Sequence, residues 1–217
     1  SKHPFAKFRN SAVTRSNKSL GHKAGICRES FALDSRSTRR HSAGTMGLTG
    51  MGKDDSAGIR LSTPRGDVRI RSFCSPSEIG NCTFDRQFAY HDYYKSLYTS
   101  RELLQNAAEQ PGTTVVVALV EPDHIIGYGV LAYPDAGERW AELGPQIMME
   151  VAAIEVCRSW RSLRLAPVML KTLVAHPRIE EKIAYMVGYA WTWDLAGSGK
   201  TALQYRQMLV KLFVPHG

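Results

Sequence analysis

At 217 residues, 43% of them hydrophobic, the chain has room for one α/β domain and an appendage. No apolar run approaches the ~20 residues of a membrane-spanning helix, and four cysteines with no C-x-x-C pair point to a reducing, cytoplasmic setting rather than a disulfide framework. The net charge of +8 is uneven: residues 1–53 carry 11 Lys/Arg against Glu29 and Asp34, while the remainder is close to neutral.

Residues 1–57 are rich in Ser, Gly and basic side chains, and their few apolar residues are scattered. Such a segment buries too little surface to offset its ordering entropy. It is expected to be a disordered basic tail, with a nucleic-acid arm or an organellar transit peptide as the sharper alternatives. The domain itself is expected over residues 58–217.

Ile59–Thr63 and residues 68–73 read as two strands around a turn at Pro64-Arg65-Gly66. Ser75-Pro76-Ser77-Glu78 is a capping box with proline at the first helical position. An aromatic-rich stretch over 84–98 follows, then a helix from about 100 to 109 that Pro111-Gly112 stops. TTVVVALV (113–120) and HIIGYGVLAY (124–133) predict a hairpin across Glu121-Pro122-Asp123. After a loop over 134–145, IMMEVAAIEVC (147–157) predicts a long strand, 163–174 a helix, 183–193 an apolar and aromatic strand, and 201–213 a last helix. The order β-β-α-α-β-β-β-α-β-α places the body in the α/β (α+β) class.

Two stretches carry possible chemistry. DLAGSGKT (194–201) ends like a phosphate-binding P-loop, G-x-x-x-x-G-K-[ST], and lies between a predicted strand and a helix. Its first glycine position is Asp194, however, a carboxylate where phosphate oxygens would sit. Only 16 residues follow Thr201, and no strong Walker-B acid ends an upstream strand. A turn between strand and helix is favoured, and a nucleotide-binding P-loop is the alternative. The second stretch is Arg161-Ser162-Leu163-Arg164-Leu165-Ala166, where a helix opening after a strand aims free N–H groups and the positive end of its dipole at an anion. No H-E-x-x-H or similar spacing occurs among the seven histidines, so no metal is predicted.

The span over 150–173 resembles motif A of the GNAT superfamily of N-acetyltransferases, whose R/Q-x-x-G-x-G/A turn cradles the pyrophosphate of acetyl-CoA. Arg161 and Ala166 match its ends, while Arg164 replaces the middle glycine. IIGYGVLAYPDAGERWAE (125–142), AAIEV (152–156) and YAWTWDLAG (189–197) resemble the acetoin-utilisation acetyltransferase family, AcuA, over about residues 59–213. The resemblance implies a mixed, mostly antiparallel sheet splayed in the middle and flanked by helices, with the closing strands missing at the C-terminal end. It implies acetyl-CoA as co-substrate, held by Ile154, Val156, Arg161, Ser162, Leu163, Arg164, Leu165 and Ala166. It further implies transfer to a lysine of an AMP-forming acetyl-CoA synthetase, while the near-neutral body argues against a nucleic-acid partner and the lack of a long apolar run against a membrane one.

Such a transfer requires a neutral amine, and a free lysine has a pKa of ~10.4. Glu150 and Glu155 are the carboxylates able to take the proton. In an unbroken strand Glu155 lies with Val151, Ala153 and Cys157 and Glu150 faces the other way, and Glu155 is preferred as base. Resemblance implies a helix tyrosine as the acid for the departing thiolate, for which Tyr205 is the best placed, and Trp140, Trp191 and Trp193 read as core and groove walls rather than a stacking platform for bases. A non-catalytic acyl-CoA-binding module is the rival from another class, should Arg164 obstruct seating of the donor.

Overall fold

In the computed structural model the described residues are 30–32, 58–89, 94–176, 179 and 181–214. Strands β2 (Ile59–Thr63) and β3 (Gly66–Arg71) pair as the first hairpin. The Ser75 box forms as read: its hydroxyl accepts from the Glu78 amide, the Glu78 carboxylate accepts from the Ser75 amide, and α1 (Pro76–Gly80) follows. A short β4 (Thr83–Phe84) comes before α2 (Arg101–Ala108), which Ser100 caps at the Leu103 amide.

The β-branched run becomes β5 (Thr114–Val120), buried along nearly its whole length, and pairs with β6 (His124–Ala132). Beyond them lie β7 (Met148–Val156), α3 (Leu165–Val174), β8 (Ile183–Val187), the one-turn α4 (Leu195–Ser198) and α5 (Ala202–Phe213). The sheet runs β1 (Ser30–Ala32)-β8-β7-β6-β5-β3-β2, with β4 joining β6 off that path. Its pairings are antiparallel except β7–β8 and β4–β6.

α3 packs on β5, β6 and β7. Gly127 and Gly129 allow that approach, since an added Cβ would stand 3.2 Å from Met169 Cε at the first and 3.5 Å from Leu173 Cδ2 at the second. On the opposite face Tyr128 is fully buried, and the rings of Phe84, Phe88 and Tyr98 surround it at 6.0, 4.9 and 5.6 Å.

β7 and β8 pair only from Met148↔Ile183 to Glu150↔Tyr185. Residues 151–156 keep β6 on one side and have no β8 partner on the other, so the sheet opens there into a cleft. The strand expected to reach residue 193 stops at Val187. Gly188 interrupts it, and the chain turns through Ala190–Thr192, held by the Thr192 hydroxyl on the Tyr189 carbonyl (2.7 Å) and the Trp193 amide on that of Ala190 (3.2 Å). The outer edge of β8 is paired antiparallel by β1 (Ser30–Ala32), a part of the segment read as a tail. The other residues of 1–57 lie outside the described residues.

Candidate functional site

The turn after β7 forms one wall of the cleft. Its residues take the backbone shape that glycine would adopt: Ser162 has φ 65° and Arg164 φ 60°, ψ 21°, both left-handed. Arg164 caps α3 with no side-chain hydrogen bond and is exposed, so it does not fill the turn. Among the described residues, the amides of Ser162, Leu163, Arg164, Leu165 and Ala166 reach no acceptor. These N–H groups at the positive end of a ten-residue helix make a shape and charge that suit a diphosphate. The Arg161 guanidinium is engaged within the chain, by the Val156 carbonyl (3.2 Å) and the Asp194 carboxylate (2.5 Å). Ile154 and Val156 stand in register with Gly129 and Gly127 of β6, and the Val156 carbonyl is turned to Arg161 rather than to β6.

Glu155 lies opposite Tyr128. One carboxylate oxygen accepts from the Leu97 amide at 3.0 Å, and the Ser96 and Tyr128 hydroxyls face the same group. Burial pushes its pKa up, against the opposing pull of Ser96, Leu97, Tyr128 and the Arg161 charge. The same burial, with the Glu155 charge beside it, drives the Tyr128 phenol well above its ordinary value. A carboxylate whose proton affinity is raised by burial is a stronger base toward an amine proton.

The structure corrects the expectation for Glu150. β7 has a bulge at Ala152: Val130 pairs with Ala153, and Leu131 pairs with Val151. The extra residue flips the alternation, so Glu150, opposite Ala132, shares the face of Glu155 opposite Tyr128. Glu150 is 2% exposed and sits where β7 and β8 still pair, at the closed end of the cleft.

The second wall comes from the segment after β8. Trp193 stacks on Tyr205 of α5 (centroids 5.5 Å apart, planes at 19°), and its buried indole N–H has no partner among the described residues. Burial raises the Tyr205 phenol, and the Asp194 amide faces its hydroxyl. Trp140 packs on Tyr185 at 5.2 Å under the Arg139 guanidinium, whereas Trp191 is 38% exposed against Tyr189.

Sequence reasoning missed Asp194 as an organising residue. It is 1% exposed, accepts two bonds of 2.7 Å from Arg158 and one from Arg161, and caps α4 at the Gly197 amide (2.8 Å). Burial would raise its pKa, but Arg158, Arg161 and the Gly197 amide outweigh this and the net shift is downward. The W-x-W-D run is the signal that pointed to it. DLAGSGKT is thus two successive helix caps, Asp194 for α4 and Thr201 with Gln204 for α5, with a left-handed Gly199 between them. Its Leu195, Gly197, Ser198 and Thr201 amides are consumed by local turns and those caps, which leaves no P-loop cradle. Among the described residues no group of three His, Cys, Asp or Glu side chains converges, and no helix is long and apolar enough to cross a membrane.

No family model matches the chain. It is 30% identical over 155 residues to the acetoin utilization protein AcuA of Bacillus licheniformis, an alignment covering 70% of each chain. It is 27% identical over 157 residues to AcuA of Bacillus subtilis, covering 72% of each. Among solved structures, an acetoin utilization protein from Exiguobacterium sibiricum superposes with a TM-score of 0.65 at 26% identity, over 71% of this chain and 72% of that one.

Proposed function

This chain belongs to the AcuA family of acetoin-utilisation proteins, within the GNAT superfamily, and from that membership we propose that it transfers an acetyl group from acetyl-CoA to a lysine amine of a protein, an AMP-forming acetyl-CoA synthetase in the cytoplasm. What carries the reading is the coincidence, at one cleft, of an uncapped turn on the first wall and a desolvated carboxylate on the strand leading to it.

In this reading the amides of residues 162–166 take the diphosphate of the donor, and the thioester runs into the opening between β7 and β8. The exposed Arg164 adds positive charge at the rim. Glu155, its pKa raised by burial, accepts the proton of the incoming lysine ammonium, and the released amine attacks the thioester carbonyl. Tyr205, on the far wall, donates a proton to the departing thiolate.

Two measurements test this. Calorimetry with acetyl-CoA should show one saturable site. A thiol-release assay with the synthetase as acceptor should show turnover requiring both substrates, and mass spectrometry should show acetyl-lysine on the acceptor. Binding without thiol release would establish the non-catalytic module instead, and failure to bind acetyl-CoA would overturn the reading altogether.

A further inference from the structure

Once β7 and β8 stop pairing at Glu150 and Tyr185, no backbone ladder fixes the width of the cleft. Yet the two groups assigned to proton transfer stand on opposite walls, Glu155 on β7 and Tyr205 on α5. Their separation must be set by something beyond the last paired residues. The described polar contacts that span the opening there converge on Asp194. Its carboxylate reaches back to Arg158 and Arg161 on the first wall with three bonds of 2.5–2.7 Å. Its backbone amide faces the Tyr205 hydroxyl, and the preceding residue, Trp193, stacks on the Tyr205 ring. Both arginines also lie over the Tyr94 ring, at 5.0 and 6.0 Å, which ties the cluster to the segment that carries Ser96 and Leu97. Gly197 is part of the arrangement: a Cβ there would collide with Asp194 Oδ2 and stand 2.6 Å from Arg158 Nε, so a side chain at 197 would push the ion pair aside.

We propose that Asp194 is a positioning residue for the transfer reaction, an ion-paired tie that docks the Trp193–Tyr205 wall onto the β7–α3 turn and so sets the place of the Tyr205 hydroxyl relative to Glu155. The inference rests on the acetyltransferase reading. It also gives DLAGSGKT a role: the aspartate at its head binds arginines of its own chain, and its glycine at 197 makes room for them. A tie made of side chains can hold two strands apart at a fixed distance, which pairing cannot do, because paired strands close to ~4.8 Å.

The test is a double-mutant cycle on acetyl transfer with Asp194→Asn, Tyr205→Phe and the pair. Misplacing a reacting group without removing it costs up to ~100-fold in rate, so Asp194→Asn should lower kcat by about 10- to 100-fold with KM for acetyl-CoA changed by less than about threefold. In the Tyr205→Phe background the same substitution should cost less than about threefold, since there is no hydroxyl left to misplace. A merely structural role would lower the active fraction in both backgrounds, and the two losses would multiply; that result overturns the proposal. An effect of Asp194→Asn on KM for acetyl-CoA alone also overturns it. Should Asp194→Asn fail to fold, Gly197→Ala displaces the carboxylate while keeping every charge, and the cycle is read with that variant. Absence of turnover in the wild type would sink the acetyltransferase reading itself, whereas turnover with multiplying losses sinks only the role of Asp194.

Discussion

Arg164 offers a quantitative check on how the turn before α3 is built. An L-residue in the left-handed region costs ~1–2 kcal/mol, and Arg164 pays this at φ 60°, ψ 21° with no cap bond in return. Glycine removes that strain but adds roughly 0.5–1 kcal/mol of unfolded-state entropy. Alanine keeps the strained Cβ, and like glycine it deletes the arginine side chain. Arg164→Gly should therefore exceed Arg164→Ala in stability by roughly 0.5–1 kcal/mol, or about 1–4 °C in melting temperature for a chain of this size. Urea denaturation and calorimetric melting of the two variants measure the difference directly. Equal stabilities, or alanine ahead, would refute the claim that the turn retains a glycine backbone under an arginine side chain. The same pair separates charge from shape in donor binding. If Arg164 acts as a rim cation, both variants weaken acetyl-CoA binding by about two- to fivefold at low salt, and the loss shrinks as salt is added. Tighter binding in both would mean that the side chain crowds the site.

Glu155→Gln should lower the transfer rate by ~10²–10⁴-fold and abolish an acid limb of the rate profile that lies above the ordinary carboxylate range, because burial raises this pKa. The same shift has a stability consequence of defined sign. Between the unfolded-state pKa and the raised folded value, the native chain keeps a proton that the unfolded chain has lost, so wild-type stability falls as pH rises through that window. Glu155→Gln should lack that slope in denaturation measured against pH and be the more stable protein at neutral pH; an opposite slope would refute the assignment of burial as the cause. Gly127→Ala puts a Cβ 3.1 Å from the Glu155 carbonyl, 3.2 Å from Met169 Cε and 3.3 Å from the Ala118 methyl, an overpacking worth ~1–3 kcal/mol. Gly129→Ala meets Leu173 only at 3.5 Å and should melt clearly above Gly127→Ala, a ranking that thermal denaturation can reverse.

The elements with strong local chemistry were legible in the sequence. The Ser75 box, the β-branched run of β5 and the Thr201–Gln204 cap all appear where their residues demand them. What was not legible depends on long-range geometry. The bulge at Ala152 has no signature within VAAIEV, because small apolar residues fit a regular strand as well as a bulged one; yet it reverses the side on which Glu150 lies. The early end of β8 was masked by the aromatic run after it, where Gly188 and a turn at Ala190–Thr192 override β-propensity. The pairing of β1 with β8 joins segments far apart in the chain and has no periodic trace. Asp194 was visible but weighed only against a phosphate, since nothing local shows that two arginines more than 30 residues upstream fold onto it.

The turn over 161–166 shows what a motif records. Its pattern asks for glycine at the middle position because the chain must pass through a left-handed conformation there. This chain has arginine at that position and passes through the same conformation, with a second left-handed residue, Ser162, two positions earlier. The backbone amides that would meet a diphosphate are thus presented as the motif requires, and the cost of the substitution falls on folding stability. Chain segments strained in this way persist when their surroundings over-determine them. Here the surroundings are identifiable: Arg161 is anchored to Val156 and Asp194 just before the turn, and Leu165, 1% exposed, is sunk in the core just after it. Loosening either anchor should release the turn toward an ordinary right-handed path. Loss of Asp194 should for that reason disturb the donor turn less than loss of Arg161, which would give up the Val156 tie as well.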